Sequence, residues 1–277
     1  MSFTLYIAIS GNEKHPINKT LGERWDWEKR PFGILNSFVY VKDFRKLENW
    51  FSKASSYMLD SGAYSVWKSG KVPDIEGLIA EAKNPPWNHV IALDVINDPK
   101  ASIANAKYMT AHGANVVPVF HFGDPFEDLE WYCANYEYVG LSCRFGETVT
   151  QSMAWCNEAF KRHFPHKFHS FGWVAKQALM EFPFWSADSA SPSVGTFKYG
   201  MWKSLGNQRM RFPGKKLHEV DASYELEFYW DLSEEVRAQW SNVWSSKKGP
   251  GPARSLVVSH PNQLTLLTEF DGSPDQP

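Results

Sequence analysis

The sequence predicts a single (β/α)8 barrel followed by a C-terminal extension. Short apolar, β-rich runs alternate with longer helix-prone segments, which is typical of parallel strands joined by crossover helices. We count eight such runs in a chain of 277 residues, close to the size of about 250 residues that is common for this fold. No Gly-x-Gly-x-x-Gly follows the first run and no P-loop occurs, so a doubly wound nucleotide-binding sheet is disfavoured.

The predicted strands are bounded by turn residues and rich in β-branched and aromatic side chains. They cover residues 5–10, 33–41, 57–60, 89–95, 115–122, 138–143, 167–172 and 184–188. A charged and aromatic loop is expected between the first two strands, through Lys14 and Arg30.

Capping residues and helical spacing of apolar side chains predict the helices that follow the later strands. Proline near a helix start is compatible with the first turn, because its missing N–H has no partner there. The predicted helices begin at Asp43, Asp74, Pro99, Pro125, Thr148 and Val174, and a last helix covers residues 223–244.

Composition limits the class of protein. Hydrophobic residues make up 43%, enough for a substantial core. The net charge of -2 excludes a strongly basic polyanion binder, so any nucleic-acid contact must be local. Cys133, Cys143 and Cys156 lack zinc-ribbon spacing and are odd in number, which indicates reduced thiols in a cytoplasmic protein. We expect no membrane contact, since no apolar run approaches spanning length and the N-terminus has no signal-peptide pattern.

Residues 1–191 are expected to form the barrel, and residues 192–277 a basic, aromatic and helical extension packed on it. The stretch 197–218 carries basic and aromatic residues but no acidic residue. Such a mixture can bind phosphates and stack on bases, although a solvated surface explains it equally well. The candidate backbone-binding residues are Lys198, Lys203, Arg209, Arg211, Lys215 and Lys216.

Several predicted strands end on polar residues, and the carboxyl ends of barrel strands share one face. Asp60, Asp94, His121 and Asp188 should therefore meet there. Alone, Asp188 reads as a helix cap; among three carboxylates, we interpret it as a nucleophile beside an acid/base and a donor-binding group. A divalent metal held with His169 is the competing use, but no His-x-His or His-Glu-x-x-His spacing favours it.

Four segments, in order, resemble those of the tRNA-guanine transglycosylases and their relatives that insert 7-deazaguanine bases into DNA. The segment 59–64, Leu-Asp-Ser-Gly-Ala-Tyr, is similar to that family's Asp-Ser-Gly-Gly-Phe-Gln, and 92–94 is similar to its second base-binding Asp. The segment 138–142 resembles its Gly-Gly-Leu-Ser. Residues 169–172, a helix and 185–189 resemble its nucleophile segment.

The resemblance implies a double displacement without cofactor or metal. Asp188 would attack the anomeric carbon, and Asp60 would take the proton of the incoming base. Asp94 would bind the purine amine and ring N–H. The other implied substrate-binding residues are Ser61, Gly62, Tyr64, His121, Gly140, Leu141, Ser142 and Trp173, with Tyr64 or Trp173 stacking on the base.

The sequence also departs from that family. The tRNA enzymes hold a zinc ion with a Cys-x-Cys-x-x-Cys cluster after the barrel, whereas no cysteine follows Cys156 here. Ala63 replaces the second Gly and Ser65 the Gln of the base-binding segment.

We therefore expect a transglycosylase that exchanges guanine in a nucleic acid, DNA before tRNA, for a free guanine or 7-deazaguanine base. The alternatives are an N-glycoside hydrolase acting on nucleosides and a non-catalytic nucleotide-binding barrel.

Overall fold

A computed structural model shows the predicted (β/α)8 barrel and describes residues 3–70, 72–143, 147–193, 201–203, 209–211 and 222–245. All strands of the main sheet pair in parallel. They are β1 (Thr4–Ile9), β2 (Gly33–Ser37), β3 (Ser56–Asp60), β4 (His89–Ile91), β5 (Val116–Val117), β6 (Val119–His121), β7 (Tyr138–Ser142), β8 (Lys167–Ser170) and β9 (Ser186–Ser189).

The barrel closes within one predicted strand, the run 115–122. The sheet order is β5-β4-β3-β2-β1-β9-β8-β7-β6, so its two outer strands are β5 and β6, which Pro118 alone separates. Proline has no N–H for a strand ladder, but the Pro118 carbonyl accepts a hydrogen bond from Gly140 N–H at 2.8 Å. β5 and β6 thus act as one interrupted strand, and the prediction of eight strands is confirmed.

Nine helices are described. They are α1 (Pro16–Glu23), α2 (Val41–Leu47), α3 (Ala63–Ser69), α4 (Ile75–Ala82), α5 (Pro99–Ala111), α6 (Phe126–Asn135), α7 (Val149–His163), α8 (Lys176–Glu181) and α9 (Ser223–Ser245). Asp74 and Asp98 cap α4 and α5 through side-chain oxygens, and Thr148 forms a capping box at α7.

The connection between the first two strands was wrongly predicted as a loop. It contains α1, which buries Ile17 and Leu21 on one face and begins at Pro16, with the His15 ring accepting a hydrogen bond from Ile17 N–H. α3 was also missed. The second strand is shorter than predicted: β2 ends at Ser37, and a short 3-10 helix, Phe38–Tyr40, leads into α2.

Side chains alternate between the barrel interior and the layer beneath the helices, as period-two strands require. The interior cluster is Tyr6, Leu35, Met58, Ile91, Val117, Val119 and Tyr138. The larger outer cluster packs the other strand faces against the helices.

The described part of the C-terminal extension contacts the barrel through α9. Arg237 Nε donates to the Phe3 carbonyl at 2.9 Å, and Trp240 Nε1 donates to the Leu179 carbonyl at 2.8 Å. β10 (Met201–Lys203) and β11 (Arg209–Arg211) form a separate antiparallel pair. The domain boundary at residue 191 stays a prediction.

All three cysteines are free thiols, with Cys143 and Cys156 buried. Among the described helices, none is both long enough and apolar enough to cross a bilayer.

Candidate active site

Asp60 stands at the carboxyl end of β3, directly across from Ser37 of β2. The chain then turns through Gly62, whose φ of +74° favours glycine and whose N–H donates to Asp60 Oδ2 at 3.2 Å. A Cβ at position 62 would lie 2.7 Å from Val39 Cγ2. The Asp-Ser-Gly segment therefore uses glycine both to turn and to orient the Asp60 carboxyl.

The pKa of Asp60 is raised from 3.8 to about 6, first by burial and then by repulsion from the Asp94 and Asp188 carboxylates. The Gly62 N–H and the Ser37 hydroxyl oppose the rise. Ser37 Oγ faces the carboxyl without a well-aligned hydrogen bond to it. A carboxyl with a pKa of about 6 can both donate and accept a proton near neutral pH.

Asp188 lies in β9 at the same end of the barrel and is only 7% exposed. Its Oδ1 lies 2.8 Å from the Gly172 N–H nitrogen and 3.2 Å from His169 Nε2. His169 is fully buried and is the register partner of Ser186, two residues before Asp188. The nucleophile candidate is thus held by β8 and the turn that follows it.

Asp94 follows β4 and pairs with His121 at the end of β6, with 3.0 Å between Asp94 Oδ2 and His121 Nε2. The His121 backbone N–H donates to Asp124 Oδ2 at 3.1 Å, which fixes the strand end that carries the ring. The Asp94 and His121 side chains keep 11% and 20% of their surface exposed, so both reach the mouth of the barrel.

The structure therefore brings together the three carboxylates that the sequence placed at strand ends. Asp188 and Asp94 each have a histidine partner, whereas the neighbours that shift Asp60 electrostatically are the other two carboxylates. Three carboxyl groups with different partners can divide nucleophile, proton carrier and donor-binding group among them.

Ser61 and Tyr64 occupy opposite environments. Ser61 is 3% exposed, and its Oγ accepts a long hydrogen bond from Ala63 N–H at 3.4 Å, so it supports the turn. Tyr64, on the first turn of α3, is 49% exposed and lies 6.0 Å from the 57% exposed Trp67 ring. This aromatic pair follows directly from the β3 end that carries Asp60.

The backbone of Gly140 and Leu141 is already used by the barrel. Gly140 N–H donates to the Pro118 carbonyl, and the Leu141 carbonyl accepts a hydrogen bond from Phe171 N–H at 3.0 Å. A Cβ at Gly140 would come within 2.3 Å of the Phe171 ring. Gly140 therefore makes room for Phe171, and these two backbone groups do not point freely into the mouth.

Ser142 is the register partner of His121, at the mouth. Trp173 is only 4% exposed, and its carbonyl accepts a hydrogen bond from Ser170 Oγ at 2.7 Å. Of the two aromatic residues considered for stacking, Tyr64 is the exposed one.

The proposed backbone-binding cluster is only partly described. Lys203 lies in β10 and Arg209 and Arg211 lie in β11, with the backbone alone described. Lys198, Lys215 and Lys216 lie outside the described residues. Within the described ranges, no group of three His, Cys, Asp or Glu side chains could hold a metal ion.

Two surface clefts of about 470 and 500 Å³ lie beside the mouth rather than over the carboxylates. The larger follows β1 and β2 and is lined by residues that include Ser10, Asn12, Tyr40 and Lys46.

His169 is the residue of this site whose position sequence reasoning missed. It appeared as part of a segment and as a possible metal ligand, not as the partner of Asp188. The period of two in β8 places His169 on the inward face, which is the signal that could have identified it.

No protein-family model matches the sequence, and no curated protein matches it either. Two solved structures resemble the fold. The tryptophan synthase alpha chain from Legionella pneumophila subsp. pneumophila has a TM-score of 0.54 at 11% identity, with 88% of this chain and 94% of that chain covered. The carboxyl transferase domain of Rhizobium etli pyruvate carboxylase has a TM-score of 0.51 at 10% identity, with 91% of this chain and 50% of that chain covered. At these identities the likeness shows a TIM-barrel fold.

Proposed function

We propose that the chain is a base-exchange transglycosylase that replaces guanine in a nucleic acid with a 7-deazaguanine-type base. The observation that carries this proposal is the convergence of Asp60, Asp94 and Asp188, in which Asp188 is held by donors and Asp60 has a pKa of about 6. The order of the segments around these three residues, which resembles the transglycosylase order, supports the same reading.

In the first half-reaction Asp188 attacks the anomeric carbon of the target nucleotide. A carboxylate oxygen bonds to that carbon while the bond to guanine N9 breaks and its electron pair passes to the base. Protonated Asp60, present in a sizeable fraction near its pKa of about 6, gives its proton to the departing base.

In the second half-reaction an incoming base loses its proton to Asp60 and attacks the same carbon, which releases Asp188. Two successive inversions retain the anomeric configuration. Because Asp60 returns to its starting protonation state, one turnover needs no external acid or base.

Asp94 accepts hydrogen bonds from the exocyclic amine and ring N–H of the guanine edge. Its contact with His121 orients the carboxylate, so that one oxygen is held by the ring and the other faces the mouth. Recognition of two donors by one carboxylate favours a guanine-type edge over adenine, which presents a different donor and acceptor pattern.

The target base must leave its stack to reach these residues, which costs least in a single strand or a loop. The exposed Tyr64 provides a ring face at the entrance on which such a base can stack. DNA is favoured over tRNA as the substrate, since the sequence lacks the cysteine cluster that holds zinc in the tRNA enzymes.

Exchange of radiolabelled guanine into DNA and tRNA tests this proposal. We expect label to enter the polymer, a covalent adduct to form with oligonucleotide, and chelation to leave both unchanged. Release of base without incorporation would indicate the hydrolase, and neither release nor incorporation would indicate the non-catalytic binding barrel. Loss of activity on chelation would contradict the metal-free mechanism.

A further inference from the structure

The buried His169 ring links Asp188 to two hydroxyl groups inside the barrel. Its Nε2 lies 3.2 Å from Asp188 Oδ1, and its Nδ1 lies 2.5 Å from Ser186 Oγ and 3.3 Å from Tyr138 Oη. Tyr138 Oη also hydrogen-bonds Ser186 Oγ. The four side chains therefore form one connected chain that ends on the proposed nucleophile.

The direction of donation along this chain follows from its members. Burial holds the pKa of Tyr138 well above 10, so its phenol stays protonated and can donate to Ser186 Oγ. Ser186 then donates to His169 Nδ1. With Nδ1 as the acceptor, a neutral His169 carries its proton on Nε2 and donates to Asp188. Every hydrogen-bonding group in the chain is satisfied in this arrangement when Asp188 is ionised.

The opposite arrangement does not suit a nucleophile. If His169 carried its proton on Nδ1, its bare Nε2 would face Asp188 Oδ1, and the pair would share a hydrogen bond only if Asp188 were protonated. A neutral carboxylic acid is a poor nucleophile.

We propose that His169 is a positioning residue that selects Oδ2 of Asp188 as the attacking oxygen. Oδ1 is directed at two N–H donors, the His169 Nε2–H and the Gly172 backbone N–H at 2.8 Å. Oδ2 is the oxygen that remains to face the mouth. This inference rests on the proposed function, because it specifies how the nucleophile of that reaction is oriented.

The same two donors serve both half-reactions. When Oδ2 bonds to the anomeric carbon and the bond to the base breaks, Oδ1 becomes the carbonyl oxygen of the ester and keeps both hydrogen bonds. When the second base attacks, the electron pair of the Oδ2–carbon bond returns to the carboxylate, which the same donors stabilise. Hydrogen bonds to an ionised group contribute about 1.5–3 kcal/mol each.

The position of the His169 proton can be measured without any substrate. In the full-length protein with ¹⁵N-labelled histidine, the His169 resonances are assigned by their loss in His169→Gln, and the Nε2 shift shows whether that nitrogen carries a proton. A protonated Nε2 supports the proposal. A bare Nε2 overturns it, whether or not the protein exchanges bases.

The contribution of His169 to attack is measured by single-turnover formation of the covalent oligonucleotide adduct. His169→Leu, which lacks a donor, should slow adduct formation by roughly 10- to 100-fold, the effect of about one charged hydrogen bond. His169→Gln keeps an N–H donor and should restore most of the rate. Binding of free guanine should be unchanged in both variants.

A folded His169→Leu protein that forms adduct as fast as His169→Gln would overturn the proposal. If the unsubstituted protein forms no adduct at all, the proposed function fails, and the ¹⁵N measurement still decides the orientation of His169.

Discussion

The contact between His121 Nε2 and Asp94 Oδ2, 3.0 Å long, joins two strands on opposite sides of the point where the barrel closes. Asp94 follows β4, which pairs with β5, whereas His121 ends β6, which pairs with β7. A base recognised by Asp94 would therefore bind where the two ends of the sheet meet.

Asp94→Asn should weaken binding of free guanine by roughly 10- to 100-fold. The reason is that an amide offers donors where the carboxylate offered acceptors, and a matched two-bond contact to a base edge is worth about 1–3 kcal/mol. Calorimetric titration with guanine measures the effect. Unchanged affinity would remove Asp94 from base recognition.

Asp188→Asn should abolish the covalent adduct and lower exchange by about 10⁴-fold or more, as loss of a nucleophile typically does. Asp98→Asn is a matched control, because Asp98 caps α5 away from the mouth and Asn caps helices equally well. Full exchange activity in Asp188→Asn would show that the nucleophile is another group.

Asp60→Asn should stabilise the fold at pH 7. The pKa of Asp60 is raised in the folded state, from 3.8 to about 6, so the folded state binds more protons between these values and stability falls as pH rises through that window. The interval corresponds to roughly 3 kcal/mol. Denaturant unfolding should show the variant more stable at pH 7 and the difference lost below about pH 4.

The same variant should incorporate base poorly, since Asn carries no transferable proton. A variant that gains no stability at pH 7 would show that Asp60 is less buried than we describe. A variant that incorporates base normally would assign proton transfer to another residue.

Gly62→Ala should destabilise the protein by about 1–3 kcal/mol, through the cost of a left-handed conformation and a clash with Val39. Gly70→Ala is the matched control: Gly70 also has a positive φ, of +64°, but nothing lies within 4 Å of its added Cβ. Denaturant unfolding of both variants separates the clash from the backbone cost. Equal losses would mean that Val39 moves aside freely.

Replacing Arg209 and Arg211 together with Ala should weaken nucleic-acid binding and flatten its salt dependence. Each phosphate contact contributes about 0.9 to the slope of log affinity against log salt for duplex DNA. Lys29→Ala with Lys53→Ala removes the same charge from exposed ion pairs elsewhere and should leave the slope unchanged. An unaltered slope in the arginine variant would place the binding surface elsewhere.

The sequence was sufficient for the eight strands because each is a short apolar run between turn residues, which local composition records. It was insufficient for α1, whose buried face depends on just Ile17 and Leu21 among polar residues. It also missed α3, which starts inside the Asp-Ser-Gly turn at Gly62. In both cases packing against the barrel, rather than local pattern, decides the structure.

The carboxylates of the site could be chosen from the sequence because strand ends of a parallel barrel share a face. Their partners could not. The contact of His169 with Asp188 depends on the β8–β9 register, and the backbone bonds of Gly140 depend on the neighbouring Pro118, so both need coordinates.

The break at Pro118 gives the barrel a built-in weak line. Only two residue pairs join β4 to β5 and three join β6 to β7, whereas five join β2 to β3. Amide hydrogens along this line should exchange with solvent through smaller openings than those of β1 and β2. Because Asp94 and His121 span the same line, a bound base would slow that exchange, and occupancy could be read from amide protection without any assay of chemistry.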